Sequence, residues 1–131
     1  MKTSYKKIFR RFLLLLAPII LLASIAGTGQ QSRKKVFIME IRKEIDPRMS
    51  RYVELALDDA KEQAVDLVII DMDTYGGAVN DADKIRTLLL DFETPIYVFI
   101  NKNAASAGAL ISIACDSIYM APGSNIGAAT V

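Results

Sequence analysis

Leu67-Val68-Ile69-Ile70-Asp71-Met72-Asp73-Thr74-Tyr75-Gly76-Gly77 is the segment on which the fold turns. Its first four residues are continuously apolar and mostly β-branched, which predicts a strand covered on both faces, as in a parallel sheet. Gly76-Gly77 closes a turn, and Val79, Ala82, Ile85, Leu88, Leu89 and Phe92 follow at helical spacing. Upstream, Val36-Phe37-Ile38-Met39-Glu40-Ile41 reads as another strand. Asp46-Pro47 then supplies a helix N-cap with proline at the first helical position. Met49, Val53, Ala56, Leu57, Ala60 and Ala64 form the apolar stripe of that helix, with Arg51, Asp58, Asp59, Lys61 and Glu62 on its other faces. Downstream, Pro95 precedes the apolar run Ile96-Tyr97-Val98-Phe99-Ile100. The small-residue segment Asn103-Ala104-Ala105-Ser106-Ala107-Gly108 leads into a helical stretch, Ala109-Leu110-Ile111-Ser112-Ile113-Ala114. Ser117-Ile118-Tyr119-Met120 is a fourth strand, ended by Pro122-Gly123. The order β-α-β-α-β-α-β predicts an α/β fold, a parallel sheet of repeated βα units with right-handed crossovers.

Composition removes several function classes. The 131 residues contain no histidine and one cysteine. A Ser-His-Asp or Cys-His hydrolase, an HExxH zinc site and a CxxC redox or metal site are therefore excluded from this chain. No metal or other cofactor is expected. The hydrophobic fraction of 52% is far above that of a disordered chain.

The N-terminal part is distinct. Residues 1–11 carry five basic side chains (Lys2, Lys6, Lys7, Arg10, Arg11) and no acid, and the next fifteen positions, to Ala26, carry no charge. Ser24-Ile25-Ala26 then places small residues where a signal peptidase reads. Residues 1–26 are read as a secretory signal peptide, with an uncleaved N-terminal anchor as the alternative. Residues 27–35 form a basic linker containing Arg33-Lys34-Lys35, and 36–131 form the folded domain. The protein is expected to be exported across, or attached to, the plasma membrane on its extracytoplasmic side. Removing the five leader charges from 16 basic residues leaves 11 against 15 acidic ones, a balance near −4. Nucleic acid, which requires a basic surface, is not an expected partner.

Ligands of parallel α/β sheets bind beyond the carboxyl ends of the strands. Two segments fall there, 71–77 and 101–108. Consecutive glycines let backbone N–H groups approach a substrate closely, though a tight turn demands the same residues. Ser106 stands between alanines at the expected first turn of a helix, where free N–H groups favour developing negative charge. It reads equally as an ordinary serine N-cap. Gly77 N–H and Ala107 N–H are the pair that can converge on one oxyanion.

With these stretches the sequence resembles the NfeD-type membrane-associated serine proteases of the Clp protease/crotonase superfamily. The matching segments are Asp73-Thr74-Tyr75-Gly76-Gly77, Ala104-Ala105-Ser106-Ala107-Gly108 and Met120-Ala121-Pro122-Gly123-Ser124-Asn125-Ile126-Gly127-Ala128. The resemblance implies a Clp protease/crotonase-like fold, incomplete at its C-terminus, with Ser106 as catalytic nucleophile. Gly77, with Gly76, and Ala107 match the oxyanion hole. It also implies a lysine base in place of histidine, a peptide or membrane-protein substrate and a homo-oligomer. The family's lysine falls beyond Val131, so residues 27–131 alone are expected to be inactive. Tyr75 departs from the family, which has proline there.

Two alternatives belong to other classes. One is a non-catalytic scaffold that keeps the fold without the base. The other is a Mg-dependent phosphatase, because Asp71-x-Asp73 after a strand resembles the opening of the haloacid-dehalogenase motif. That motif wants Thr or Val where Tyr75 stands, and the two carboxylates also suit a strand end. Cys115 reads as a small core residue.

Overall fold

Asp46 fixes where the first helix begins. Its carboxylate accepts from Arg48 N–H at 3.0 Å and Met49 N–H at 2.9 Å, satisfying two of the donors that a helix start leaves free. The Met49 N–H, and then the Arg48 guanidinium, hold this carboxyl below its ordinary pKa. The computed structural model describes residues 33–128, so the leader at 1–26 and most of the linker lie outside the described residues.

The elements run β1 (Val36–Ile41), α1 (Pro47–Glu62), β2 (Leu67–Thr74), α2 (Val79–Leu90), β3 (Ile96–Ala105), α3 (Ala107–Ser112), β4 (Ser117–Met120) and β5 (Asn125–Gly127). The strands pair in parallel in the order β1-β2-β3-β4, and β5 pairs with β3. The alternating α/β order read from the sequence is present.

Three details differ from the sequence reading. First, the strands are not covered on both faces among the described residues. Met39, Ile41, Val68, Ile70, Met72, Ile96, Val98 and Ile100 are buried with Val53, Leu57, Ile85 and Ile111 from the helices. On the other face Ile38 is 65% exposed, and Phe99 and Tyr119 are exposed as well. Each strand lies beside its predecessor, so crossovers of one hand deliver every helix to the same side. Second, Ala64 is not part of the α1 stripe. The helix stops at Glu62, and Ala64 takes a left-handed φ of 47° while its N–H bonds Lys61 O at 3.0 Å.

Third, Asn103-Ala104-Ala105 continues β3 rather than forming a loop, and α3 spans only Ala107–Ser112. The extension has a partner of its own. β4 pairs with residues 97–100, the chain turns at Pro122-Gly123, and β5 pairs with Asn103, Ala104 and Ala105. Ala104, in the middle of this pairing, is fully buried.

Cys115 follows α3 and donates weakly to Ile111 O at 3.6 Å. Burial pushes its thiol pKa up to about 12. Only the thiolate is reactive, so alkylation by iodoacetamide at pH 8 is expected to run on the order of a thousandfold slower in the folded protein than after unfolding. Rapid labelling of the native protein contradicts this placement. The unfolded thiol ionises first, so this group lowers stability as pH rises from about 9 toward 12.

Candidate active site

Ser106 occupies the N-cap position of α3 with φ 52° and ψ −114°, and its side chain makes no capping hydrogen bond. An ordinary N-cap serine has extended backbone and accepts from the first turn. This one does neither. A positive φ on a residue with a Cβ costs about 1–3 kcal/mol and persists only where the surroundings impose it. They do so here through both neighbours. Ser106 N–H donates to Gly127 O at 2.8 Å, and Ser106 O accepts from Ala109 N–H at 3.0 Å and Leu110 N–H at 3.2 Å.

The double glycine arrives from β2 and lies directly against this serine. A Cβ built on Gly76 would stand 2.8 Å from Ser106 Cβ, 3.0 Å from Ala105 O and 3.2 Å from Ala107 N. With φ at 105°, Gly76 is excluded to other residues on both counts. Gly77 forms a one-residue parallel bridge with Ile45 in the β1–α1 loop. Ile45 N–H donates to Gly76 O at 2.9 Å and Ala78 N–H donates to Ile45 O at 2.8 Å. The bridge uses the groups flanking Gly77 and leaves Gly77's own N–H outside it. Ala107 N–H, at the first position of α3, is one of the amides a helix start leaves without an internal acceptor. Neither amide finds an acceptor among the described residues. The Gly76 amide is committed elsewhere, donating to Thr74 Oγ1 at 3.1 Å. Gly77 and Ala107 are thus the candidate donors, and Gly76 supplies room.

A groove of about 670 Å³ opens beside these residues. It is bounded by Gly77, Ser106 and Ala107 and continues between α2 and α3 over Val79, Leu110 and Ile113. Val79 falls on α2's apolar stripe by its spacing, yet it is 74% exposed there. Tyr75, beside the glycines, is 81% exposed among the described residues.

The two strand-end carboxylates, and the lysines nearest to Ser106 in sequence, are engaged elsewhere or exposed. Asp71 and Asp73 lie on the open sheet face. Asp71 is paired with Arg42, and its Oδ1 is buried without a hydrogen bond among the described residues. Asp73 accepts from Asn103 Nδ2 at 3.2 Å. Lys84 is paired with Glu54 at 3.1 Å, and Lys102 is exposed. Neither is held as a free amine against Ser106.

Residues 35–131 match the family described as NfeD1b, N-terminal domain. The chain belongs to this family. Membrane protein NfeD1b of Bacillus subtilis (strain 168) is 34% identical over 115 residues, covering 86% of this chain and 26% of that protein. Membrane-bound protease PH1510 of Pyrococcus horikoshii is 30% identical over 126 residues, covering 91% of this chain and 27% of that protein. The chain spans about a quarter of the length of these curated relatives and is homologous to a membrane-bound protease.

Among solved structures, a 1510-N membrane-bound stomatin-specific protease is similar at 25% identity and a TM-score of 0.72, over 76% of this chain and 47% of that one. That structure is a lysine-to-alanine mutant in complex with a substrate peptide. ClpP1 from Listeria monocytogenes shares the fold at 24% identity and a TM-score of 0.58, over 60% of this chain and 46% of that one. An enoyl-CoA hydratase from Mycobacterium marinum does so at 14% identity and 0.59, over 64% and 46%. The fold is the Clp protease/crotonase one.

In this NfeD1b N-terminal domain three residues of the site were not singled out from sequence. Thr74 and Gly127 fall inside the quoted motifs, but nothing in their identity announces a hydrogen bond to the glycine loop or to the serine. Ile45 lies thirty-two residues before Gly77, and only the fold joins them.

Proposed function

We propose that this domain carries the nucleophile and oxyanion donors of a membrane-associated serine endopeptidase whose lysine base is supplied from outside residues 1–131. The observation that carries the reading is the strained, uncapped Ser106, which lies against the glycine loop and shares one groove with Gly77 and Ala107, whose N–H groups find no acceptor among the described residues. Ser106 Oγ attacks the scissile carbonyl carbon and its proton passes to the lysine amine. The carbonyl oxygen becomes an oxyanion between the two N–H groups. Collapse expels the amine fragment, which takes that proton, and water then hydrolyses the acyl-enzyme. The groove between α2 and α3 accepts an apolar side chain of the substrate.

A neutral lysine amine is a competent base where burial lowers its pKa, so the missing histidine is no obstacle. The lysine-to-alanine form of the relative bound to a substrate peptide is consistent with that role. Membrane association is supported by the relatives' names and by the apolar leader. Among the described residues no helix is long and apolar enough to cross a membrane.

The test is chemical labelling. The full-length protein, treated with a phosphonofluoridate, is expected to take up one phosphonyl group on Ser106, located by peptide mass spectrometry. Peptidase activity is expected to fall in proportion to the adduct. Full activity at complete labelling, or an adduct only elsewhere, would reject the assignment.

A further inference from the structure

Thr74, the last residue of β2, touches both halves of the candidate site. It is buried, at 2% exposure. Its Oγ1 donates to Lys43 O at 2.7 Å and accepts from Gly76 N–H at 3.1 Å, so one hydroxyl ties the glycine loop to the β1–α1 loop. Its methyl faces the serine side. A Cβ built on Gly108, in the first turn of α3, would meet Thr74 Cγ2 at 2.7 Å. The hydroxyl and methyl share one χ1, and a β-branched side chain in a strand has few wells to choose from. Rotating the methyl away from α3 therefore carries Oγ1 off both of its partners.

We propose that Thr74 is the positioning residue that sets the separation between the glycine-loop amide and the Ser106–Ala107 end of α3. The hydroxyl holds the loop down, and the methyl sets how closely α3 approaches through Gly108. This role rests on the protease reading, because that separation is the width of the oxyanion site. Hydrogen-bond donors stabilise an oxyanion only at the correct distance, so a small displacement lowers kcat more than it changes substrate affinity.

The experiment uses the full-length protein with Thr74→Val, Thr74→Ser, Gly108→Ala and the Thr74→Ser/Gly108→Ala double variant. Peptide hydrolysis is read alongside amide hydrogen exchange at Gly76. Thr74→Val keeps the shape and loses the hydroxyl. It is expected to lower kcat roughly ten- to a hundredfold with KM within about twofold, and to speed exchange at Gly76. Thr74→Ser keeps the hydroxyl and so retains slow exchange, but without the methyl it recovers kcat only in part. Gly108→Ala pushes on the methyl and is expected to cost kcat when Thr74 is present. That loss is largely relieved when Gly108→Ala is combined with Thr74→Ser, which removes the methyl.

Wild-type kcat in Thr74→Val overturns the proposal, as does an equal Gly108→Ala cost in both backgrounds. If the wild type hydrolyses no peptide, or Ser106→Ala hydrolyses equally well, the protease reading is what fails. Exchange at Gly76 then decides the clamp by itself: faster in Thr74→Val and restored in Thr74→Ser supports it, and unchanged in both refutes it.

Discussion

Ser106→Ala in the full-length protein is expected to lower peptide hydrolysis by on the order of a thousandfold or more, leaving the thermal midpoint nearly unchanged. Alanine keeps the Cβ that lies against the glycine loop and removes only the oxygen proposed to attack. The positive φ remains, so the strain remains. Ser106→Gly separates the two properties further. Glycine tolerates φ near 52° without penalty, so this variant is expected to be equally inactive yet more stable by about 1 kcal/mol. A residue kept for stability behaves in the opposite way, since its loss lowers the midpoint. Steady-state turnover and thermal unfolding of the three proteins decide the matter. Undiminished hydrolysis by Ser106→Ala removes the nucleophile from the scheme, and a lower midpoint for Ser106→Gly removes the strain.

Gly77→Ala is expected to damage folding itself. A Cβ at this position would stand 2.1 Å from Ile45 O, 2.7 Å from Ile45 N and 2.8 Å from Ile45 C. All three are backbone atoms of a fully buried residue, so no rotamer change relieves the overlap. The bridge must open, and with it go the hydrogen bonds from Ile45 N–H to Gly76 O and from Ala78 N–H to Ile45 O. Overpacking of this kind, with two buried hydrogen bonds disturbed, is expected to cost about 3 kcal/mol or more. Gly123→Ala provides the contrast. That glycine has φ 78° but no atom within 4 Å of a built Cβ, so only the backbone penalty of about 1–2 kcal/mol applies. Thermal unfolding of both variants tests the ordering. A Gly77→Ala midpoint equal to that of Gly123→Ala would refute the bridge.

Much of this fold was legible in the sequence, and the reasons are local. Asp46-Pro47 carries a cap and a fixed φ in two adjacent residues, and α1 begins there. Leu67–Ile70 lies within a central strand, and Gly76-Gly77 marks a turn that forces left-handed backbone. Signals failed where the deciding partner is distant. Asn103-Ala104-Ala105 has a weak strand signature, and pairing with residues 125–127 makes it one. That four strands in so short a domain need further cover follows from the sequence, but which sheet face stays open does not, because an unbroken apolar run looks the same whether a helix covers one side or both.

For the site, the sequence by itself determined which groups are present. Ser106 sits among small residues, two glycines follow a strand, and none of the 131 residues is a histidine. These depend on residue identity and short spacing, which the chain carries wherever it goes. Only the tertiary structure decided which of those groups meet and which are free. It assigned the Gly76 N–H to Thr74, left Gly77 N–H outside the Ile45 bridge, and set Ser106 at φ 52° between Gly76 and Gly127. A hydrogen bond depends on distances of a few tenths of an ångström between segments that lie tens of residues apart in the chain, and packing alone sets those distances.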